Sequence, residues 1–455
     1  MLLRTKLFGK TYEFGTIKEL LAKANEEKSG DRQAGIAAES AAERMAAKHV
    51  LAHVTLETLR QNPAIPHERD EVTRVIDEGV NETIYAEIKS MQLGELREWL
   101  LADTTTSAMI RRISNGLTAE MIAGVAKLMS NLDLMIAAKK IRVTAHCNTT
   151  IGLPGTLSSR NQPNHPTDSP AGIKASIYEG LSFGSGDCVI GINPSDDSLS
   201  SVSRLFEMTH QVITTWKIPT QNSVLAHITT QMEALKRGVP IDLLFQSLAG
   251  SEKANQGFGI SVGLLDEAYQ MARKYCNSNG PNYFYFETGQ GTALSAGAHE
   301  GADQLTMEAR CYGLARRYHP FIVNTVVGFI GPEYLYDSVQ ITRAGLEDHF
   351  MGKLTGIPMG CDACYTNHAV ATQNDIENLA VLLTTTGCCY FMGVPMGDDI
   401  MLSYQSTSYH DTASLRQLLG LRPIPEFEAW MEDLGLMKDG VLTEKAGDAS
   451  FFLQK

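Results

Sequence analysis

Tyr283-Phe284-Tyr285-Phe286-Glu287-Thr288-Gly289-Gln290-Gly291-Thr292 sets four aromatic residues ahead of a carboxylate and then opens into a glycine-rich loop. An apolar run that ends on a polar side chain beside glycines is the pattern of a buried parallel strand whose carboxyl end meets a ligand. The pattern recurs: Asn193 ends Cys188-Val189-Ile190-Gly191-Ile192, Gln246 follows Leu243-Leu244-Phe245, and Asp362 closes Gly356-Ile357-Pro358-Met359-Gly360-Cys361. These polar residues are expected to converge on one mouth.

Working outward, short apolar strands are expected at residues 141–145, 188–192, 224–227, 243–246, 283–287, 321–326, 356–361 and 389–394. Amphipathic helical spacing lies between them, for example at 205–216, 262–275, 302–316 and 376–383. A strand followed by a helix about every 35 residues selects the parallel architectures, and eight repeats favour a closed (β/α)8 TIM barrel over a doubly wound sheet. No G-x-G-x-x-G follows the first expected strand to support the doubly wound alternative. The α/β barrel is therefore placed at 136–420, as the catalytic unit. Residues 1–135 show helical spacing, as at Leu93, Leu96 and Leu100, with almost no β-like run, and form an N-terminal helical region. Residues 421–455, with Pro423, Pro425 and a short helix at 427–434, form a C-terminal helical tail.

Hydrophobic content of 43% and charged content of 20% are those of a soluble globular protein. Thirty-nine Lys and Arg against 52 Asp and Glu give a net charge of -13, which argues against nucleic acid as a partner. The amino terminus turns polar before any long apolar stretch, and the longest greasy run, 321–330, is interrupted by Asn324. A cytoplasmic protein with no membrane contact is expected, its eight cysteines reduced.

Several chemistries lack their residues. Cys361-Asp362-Ala363-Cys364 has no second pair at zinc-binding spacing, since Cys388 and Cys389 are adjacent and would point to opposite faces of a strand. The twelve histidines form no H-x-H and no H-E-x-x-H, so no metal site is expected. No lysine ends an expected strand, as Schiff-base and pyridoxal chemistry would need, and no G-x-S-x-G elbow is present. What remains is Arg160 and Gln162, in the loop expected after the first strand, with Asn193, Glu287 and Asp362. Two carboxylates, two amides and a guanidinium can pair every polar atom of a small molecule that carries both an ammonium and a hydroxyl. Capping of strand ends is the competing explanation for each of them singly. Phe258, Val326, Phe329, Met392, Met401, Leu402 and Tyr404 crowd the same face, as core packing or as the bed of a flat cofactor.

The chain resembles the large subunit of ethanolamine ammonia-lyase. The resemblance is carried by Ser158-Ser159-Arg160-Asn161-Gln162-Pro163-Asn164-His165, Gly191-Ile192-Asn193-Pro194-Ser195-Asp196-Asp197, Phe284-Tyr285-Phe286-Glu287-Thr288-Gly289-Gln290-Gly291, Met359-Gly360-Cys361-Asp362-Ala363-Cys364-Tyr365-Thr366-Asn367 and Met392-Gly393-Val394-Pro395-Met396-Gly397-Asp398-Asp399. It implies adenosylcobalamin-dependent radical deamination of ethanolamine to acetaldehyde and ammonia. By the same resemblance Glu287 contacts both the amino and hydroxyl groups, Gln162 and Asp362 hold the ammonium, and Arg160 and Asn193 hold the hydroxyl. Glu287, Arg160 and Asp362 are the catalytic candidates, with Glu287 giving acid-base help. Pro194, Gln246, Ser247, Phe258, Ser295, Val326, Phe329, Met401 and Tyr404 are implied on the cofactor side. The D-x-H-x-x-G string that replaces cobalt's own base is missing, the nearest being Asp348-His349-Phe350-Met351-Gly352. The resemblance accordingly implies a separate small subunit beneath the cofactor, a hetero-oligomer, and packaging in a bacterial microcompartment. Two rivals stand beside it: a barrel radical enzyme acting on a related amino alcohol or diol, and a non-catalytic scaffold.

Overall fold

Eight parallel strands wrap into a barrel in the computed structural model, which describes residues 3–454. They are β1 (Ser158–Asn161), β2 (Val189–Ile192), β3 (Asn222–Val224), β4 (Leu244–Ser247), β5 (Phe284–Thr288), β6 (Ile322–Val327), β7 (Met359–Ala363) and β8 (Tyr390–Gly393). A helix follows each in turn: α1 (Pro170–Ser182), α2 (Leu199–Trp216), α3 (Ile228–Lys236), α4 (Val262–Tyr275), α5 (Gln304–Arg316), α6 (Ser338–Thr355), α7 (Gln373–Thr385) and α8 (Tyr409–Leu419). The sheet order β3-β2-β1-β8-β7-β6-β5-β4 joins β8 to β1 and every strand to its sequence neighbours except β3 to β4. Between β3 and β4 a ladder is replaced by one backbone bond, Leu243 N–H to Asn222 C=O at 3.2 Å. There Asn222 and Asp242 each accept the other's backbone N–H through their side chains, both at 2.9 Å.

The first strand lies elsewhere than its hydrophobicity suggests. Residues 141–145 do not enter the barrel; Ala145–His146 pairs with Thr150–Ile151 in a hairpin whose Ala145, Cys147 and Ile151 plug the amino-terminal end against Phe245, Tyr285 and Tyr390. The barrel strand is Ser158–Asn161, so Arg160 belongs to a strand and Gln162 directly follows it. Two other edges shift: β3 begins at Asn222, and β7 runs through Asp362 rather than ending before it. Gly360 gives the interior its room, since a Cβ there would stand 2.0 Å from the Tyr390 ring.

The N-terminal region is helical apart from one hairpin that the sequence pattern does not signal, Arg4–Leu7 with Lys10–Glu13. Its helix Ala119–Lys127 packs on α5 and α6, and Asn131–Lys140 packs on α6. Buried charge joins the two parts. Lys28 meets Glu347 at 2.8 Å, Lys127 meets Asp303 at 2.9 Å, and Arg310 on α5 reaches Asp70 at 2.6 Å and Glu120 at 2.7 Å. The carboxyl-terminal segment adds the helix Pro425–Asp433 and the hairpin Met437–Lys438 with Val441–Leu442. Phe452 then stacks on Tyr178 of α1 at 5.2 Å. No helix among the described residues is long and apolar enough to cross a membrane.

Arg310 is a fully buried cation held by two carboxylates from the N-terminal helices. Arg310→Met leaves both carboxylates buried and unpaired, so chemical denaturation should report a loss of about 3–5 kcal/mol.

Candidate active site

Alternation along β1 turns Ser159 and Asn161 outward and Arg160 into the lumen. Ser159 meets Asp187 and Ser185, and Asn161 donates to the carbonyl of Ile177. Arg160 instead crosses the barrel toward β5, which lies opposite β1 in the sheet order. Its guanidinium is fully buried and donates to the Tyr285 hydroxyl, to Glu287 Oε1 at 3.0 Å, to the Gly191 carbonyl at 3.2 Å and to Asn193 Oδ1 at 3.4 Å. Gly191 is required by this approach: a Cβ there would lie 2.7 Å from Arg160 Nε. Burial opposes the charge, but Tyr285 and Glu287 beside it hold the guanidinium pKa above its ordinary value.

Glu287 sits at the carboxyl end of β5, with 16% of its side chain exposed. Three donors converge on its Oε1: Arg160, the Tyr285 hydroxyl at 2.5 Å and Asn324 Nδ2 at 3.3 Å. Its Oε2 receives no donor from the described residues. Burial raises the Tyr285 phenol well above its usual value, so this hydroxyl stays a donor.

Above β7 and β8 a small antiparallel sheet of Tyr365–Thr366, Tyr404–Gln405 and Asp398–Asp399 folds over the polar residues. It brings the Ser406 hydroxyl onto Asp362 Oδ1 and Asp399 Oδ2 onto Gln162 Nε2 at 2.6 Å. Gln162 Nε2 also meets the Tyr404 hydroxyl at 3.2 Å. Asp362 is fully buried, and burial, reinforced by the nearby charge of Glu287, pushes its carboxyl up to about 7 against the Ser406 hydrogen bond. Gln162 Oε1, Asn324 Oδ1 and Asp362 Oδ2 are buried acceptors with no hydrogen-bond partner among the described residues. A buried unpaired acceptor costs about 1–3 kcal/mol, so three of them together mark a place for a donor-rich ligand.

Beside this polar set a cavity of about 420 Å³ opens at the mouth, lined by Leu225, Phe245, Gln246, Ser247, Phe258, Glu287, Val326 and Phe329 among others. Five residues expected on the cofactor side thus line it: Gln246, Ser247, Phe258, Val326 and Phe329. Tyr404 lies behind the lining, edge to face with Phe329 at 5.3 Å. Pro194, Met401 and Ser295 are outside the lining. Met401 gives its N–H to Asp399, and the Ser295 hydroxyl turns back to the Thr292 carbonyl. Phe329, Met396 and Ile400, which are 38%, 77% and 64% exposed, give the same face an apolar rim. Among the described residues no group of three or more His, Cys, Asp or Glu could hold a metal ion. Cys361 and Cys364 are buried, with thiols raised well above their ordinary range by burial.

The site also contains residues the sequence pattern did not single out. Tyr285 stands two positions before Glu287 and shares its face, a signal the aromatic run hides. Asn324 shows in the sequence only as a break in a greasy strand, and nothing local marks Asp399 or Ser406.

A (β/α)8 barrel whose carboxyl-end mouth buries a guanidinium, two carboxylates and unpaired amide oxygens beside an open cavity belongs to the class of barrel enzymes that act on small polar substrates. The family model for the ethanolamine ammonia lyase large subunit (EutB) matches residues 12–445. The ethanolamine ammonia-lyase large subunits of Escherichia coli K12 and Salmonella typhimurium are each 58% identical over 452 residues, covering 99% of this chain and 100% of those proteins. This chain belongs to the ethanolamine ammonia-lyase large subunit family. A solved structure of bifunctional proline utilization A is matched at 11% identity over 95% of this chain and 46% of that one, with a TM-score of 0.29, a likeness too slight to carry any argument.

The Asp362 carboxyl is raised in the folded chain, so the fold binds its proton more tightly than the unfolded chain does. Its contribution to stability is full below the ordinary value of 3.8 and is lost as pH rises to about 7. Carbon-13 NMR of labelled aspartate should show one carboxyl titrating near 7, absent in Asp362→Asn, and the variant's stability should fall less across that window.

Proposed function

We propose that this chain is the catalytic subunit of an adenosylcobalamin-dependent ethanolamine ammonia-lyase, converting ethanolamine to acetaldehyde and ammonia. The observation that carries this reading is the unpaired acceptor set Gln162 Oε1, Asn324 Oδ1 and Asp362 Oδ2 near a buried Arg160–Glu287 pair. An ammonium offers three donors and no acceptor, so it matches a cluster of buried acceptors that no donor of the described residues reaches. Gln162 and Asp362 bind the ammonium, Arg160 and Asn193 bind the hydroxyl, and Glu287 uses its unengaged Oε2 on both ends of the substrate. Glu287 Oε1 is pinned by three donors, so the acting oxygen is oriented before the substrate arrives. Asp362, whose carboxyl sits near 7, is ionised when the ammonium binds, any proton it holds passing to solvent, and so supplies a counter-charge where migration of the amine needs one.

The mouth offers a partly apolar bed, with Gln246 and Ser247 as polar contacts, to a large, flat cofactor. Gln246, Ser247, Phe258, Val326 and Phe329 would hold its adenosyl side, with Tyr404 backing Phe329, and Pro194, Ser295 and Met401 on the surrounding loops. When bound, adenosylcobalamin supplies the carbon-centred radical that opens the C–H bond of the hydroxyl-bearing carbon. His349, in the nearest approach to an axial-histidine motif, is fully buried in α6 with Nδ1 against the Thr386 hydroxyl at 3.2 Å, which supports retention of the cofactor's own base. A small subunit would then hold the rest of the cofactor, in a hetero-oligomer that we place within a bacterial microcompartment on the strength of the family alone.

The test is to purify the chain with its small subunit, add adenosylcobalamin and ethanolamine, and measure acetaldehyde together with the paramagnetic cobalt(II) and organic-radical signal. Both are expected; absence of both would leave a scaffold. Glu287→Gln should lower turnover about 100- to 10,000-fold with an unchanged circular dichroism spectrum, as loss of a positioned acid-base group does. In the wild type kcat/KM for ethanolamine should fall as pH drops below about 7, where Asp362 holds its proton. Asp362→Asn should lower kcat/KM throughout and abolish that limb.

A further inference from the structure

We propose that Asp399 is the positioning residue that fixes the orientation of the Gln162 side-chain amide and so makes the site select an ammonium over a hydroxyl. The inference rests on the amino-alcohol reading above and assigns its specificity to a residue outside the substrate contacts.

The hydrogen-bond accounting around Asp399 is closed. Its Oδ2 accepts from Gln162 Nε2 at 2.6 Å and Asn164 Nδ2 at 2.7 Å. Its Oδ1 accepts the backbone N–H of Met401 at 3.0 Å and of Leu402 at 2.9 Å. An ionised carboxylate can only accept, so both amides must turn their NH2 groups toward it. Asn164 is held at its other end as well, because its Oδ1 accepts the Asn193 N–H at 2.9 Å. Gln162 is held at one end only. Its Oε1 is buried and has no partner among the described residues, and of the two groups at its Nε2 the Tyr404 hydroxyl can either accept or donate, so Asp399 is the one that determines that an acceptor, and not a donor, faces the substrate.

Replacement of Asp399 by asparagine separates the two amides. The backbone N–H groups of Met401 and Leu402 cannot turn, so the new amide oxygen takes them and its NH2 group faces Gln162 and Asn164. Asn164 cannot invert without setting NH2 against the Asn193 N–H. Gln162 can, and inversion puts its own NH2 into the ammonium position. A hydroxyl can accept from that group, whereas an ammonium cannot.

The experiment uses the complex with the small subunit and compares wild type, Asp399→Asn, Gln162→Glu and the double variant. Ethanolamine and ethane-1,2-diol are titrated calorimetrically, and ethanolamine kcat and KM are measured with cofactor present. Asp399→Asn is expected to weaken ethanolamine binding about 10- to 100-fold, the size of a charged hydrogen bond, while diol binding holds or improves. Gln162→Glu alone sets two carboxylates in contact and is expected to be impaired. In the double variant the carboxylate at 162 accepts from the new amide and presents its second oxygen to the ammonium, so ethanolamine binding should recover beyond either single variant. An unchanged ethanolamine-to-diol preference in Asp399→Asn, or additive losses in the double variant, would overturn the proposal. So would failure of Asp399→Asn to fold, which would mark the residue as a loop anchor only. A wild type that neither binds nor deaminates ethanolamine overturns the function reading, and this inference with it.

Discussion

One buried guanidinium organises the molecule. Arg160 crosses the barrel from β1 to β5, and a cation in that position is tolerable only because Tyr285, Glu287, Asn193 and the Gly191 carbonyl surround it. Each requirement reaches back into the sequence: Gly191 has no Cβ because the guanidinium occupies that space, and Tyr285 alternates with Phe284 and Phe286 because one face of β5 meets charge and the other meets helices. Below this layer Phe245, Tyr285 and Tyr390 fill the lumen with apolar bulk. Above it lies the polar mouth, and the substrate groups of the proposed reaction meet a rigid floor.

The polar mouth departs from the usual rule that buried groups are paired. Several buried charges elsewhere are matched at close range, as in Lys28 with Glu347 and Lys127 with Asp303. In the mouth three of the unmatched atoms, Gln162 Oε1, Asn324 Oδ1 and Asp362 Oδ2, are acceptors. A site with surplus acceptors discriminates by counting donors, and an unmatched hydroxyl in place of an ammonium leaves a buried oxygen without a partner. The small sheet that carries Asp399 and Tyr404 covers these oxygens, and under the proposed function that cover is what preserves the discrimination.

Much of the barrel was legible because six of its strands carry apolar runs and an apolar stretch at 224–227 adjoins a seventh, and β5 with its glycine-rich exit identified the functional end of the fold. β1 was not. Ser158, Ser159, Arg160 and Asn161 include no apolar side chain, since one face builds the polar floor and the other bonds Asp187, Ser185 and the Ile177 carbonyl. Hydrophobic periodicity reports burial against grease, so it chose the neighbouring 141–145 stretch, in which Ile141 and Val143 pack with the main core and Ala145 joins the plug. Of the five expected substrate ligands, the structure joins Arg160, Asn193 and Glu287 by hydrogen bonds and sets Gln162 and Asp362 under one covering sheet. Asn324 and Asp399 escaped notice for a different reason: each acts through a partner far away in the chain, and a one-dimensional pattern holds no record of that pairing.

The join between β3 and β4 gives the barrel a mechanical asymmetry. Seven junctions carry parallel strand pairing, whereas this one is fastened by Leu243 to Asn222 and by the side-chain exchange between Asn222 and Asp242. The hoop is therefore a clasp. Leu225, Gln246 and Ser247, from the carboxyl ends of the two strands that flank it, line the mouth cavity. Widening the cavity on that side parts one backbone bond and the side-chain bonds of Asn222 and Asp242, together with those that Gln231 makes to the backbone of Ala226 and Phe245, whereas widening on any other side parts strands paired along their backbones.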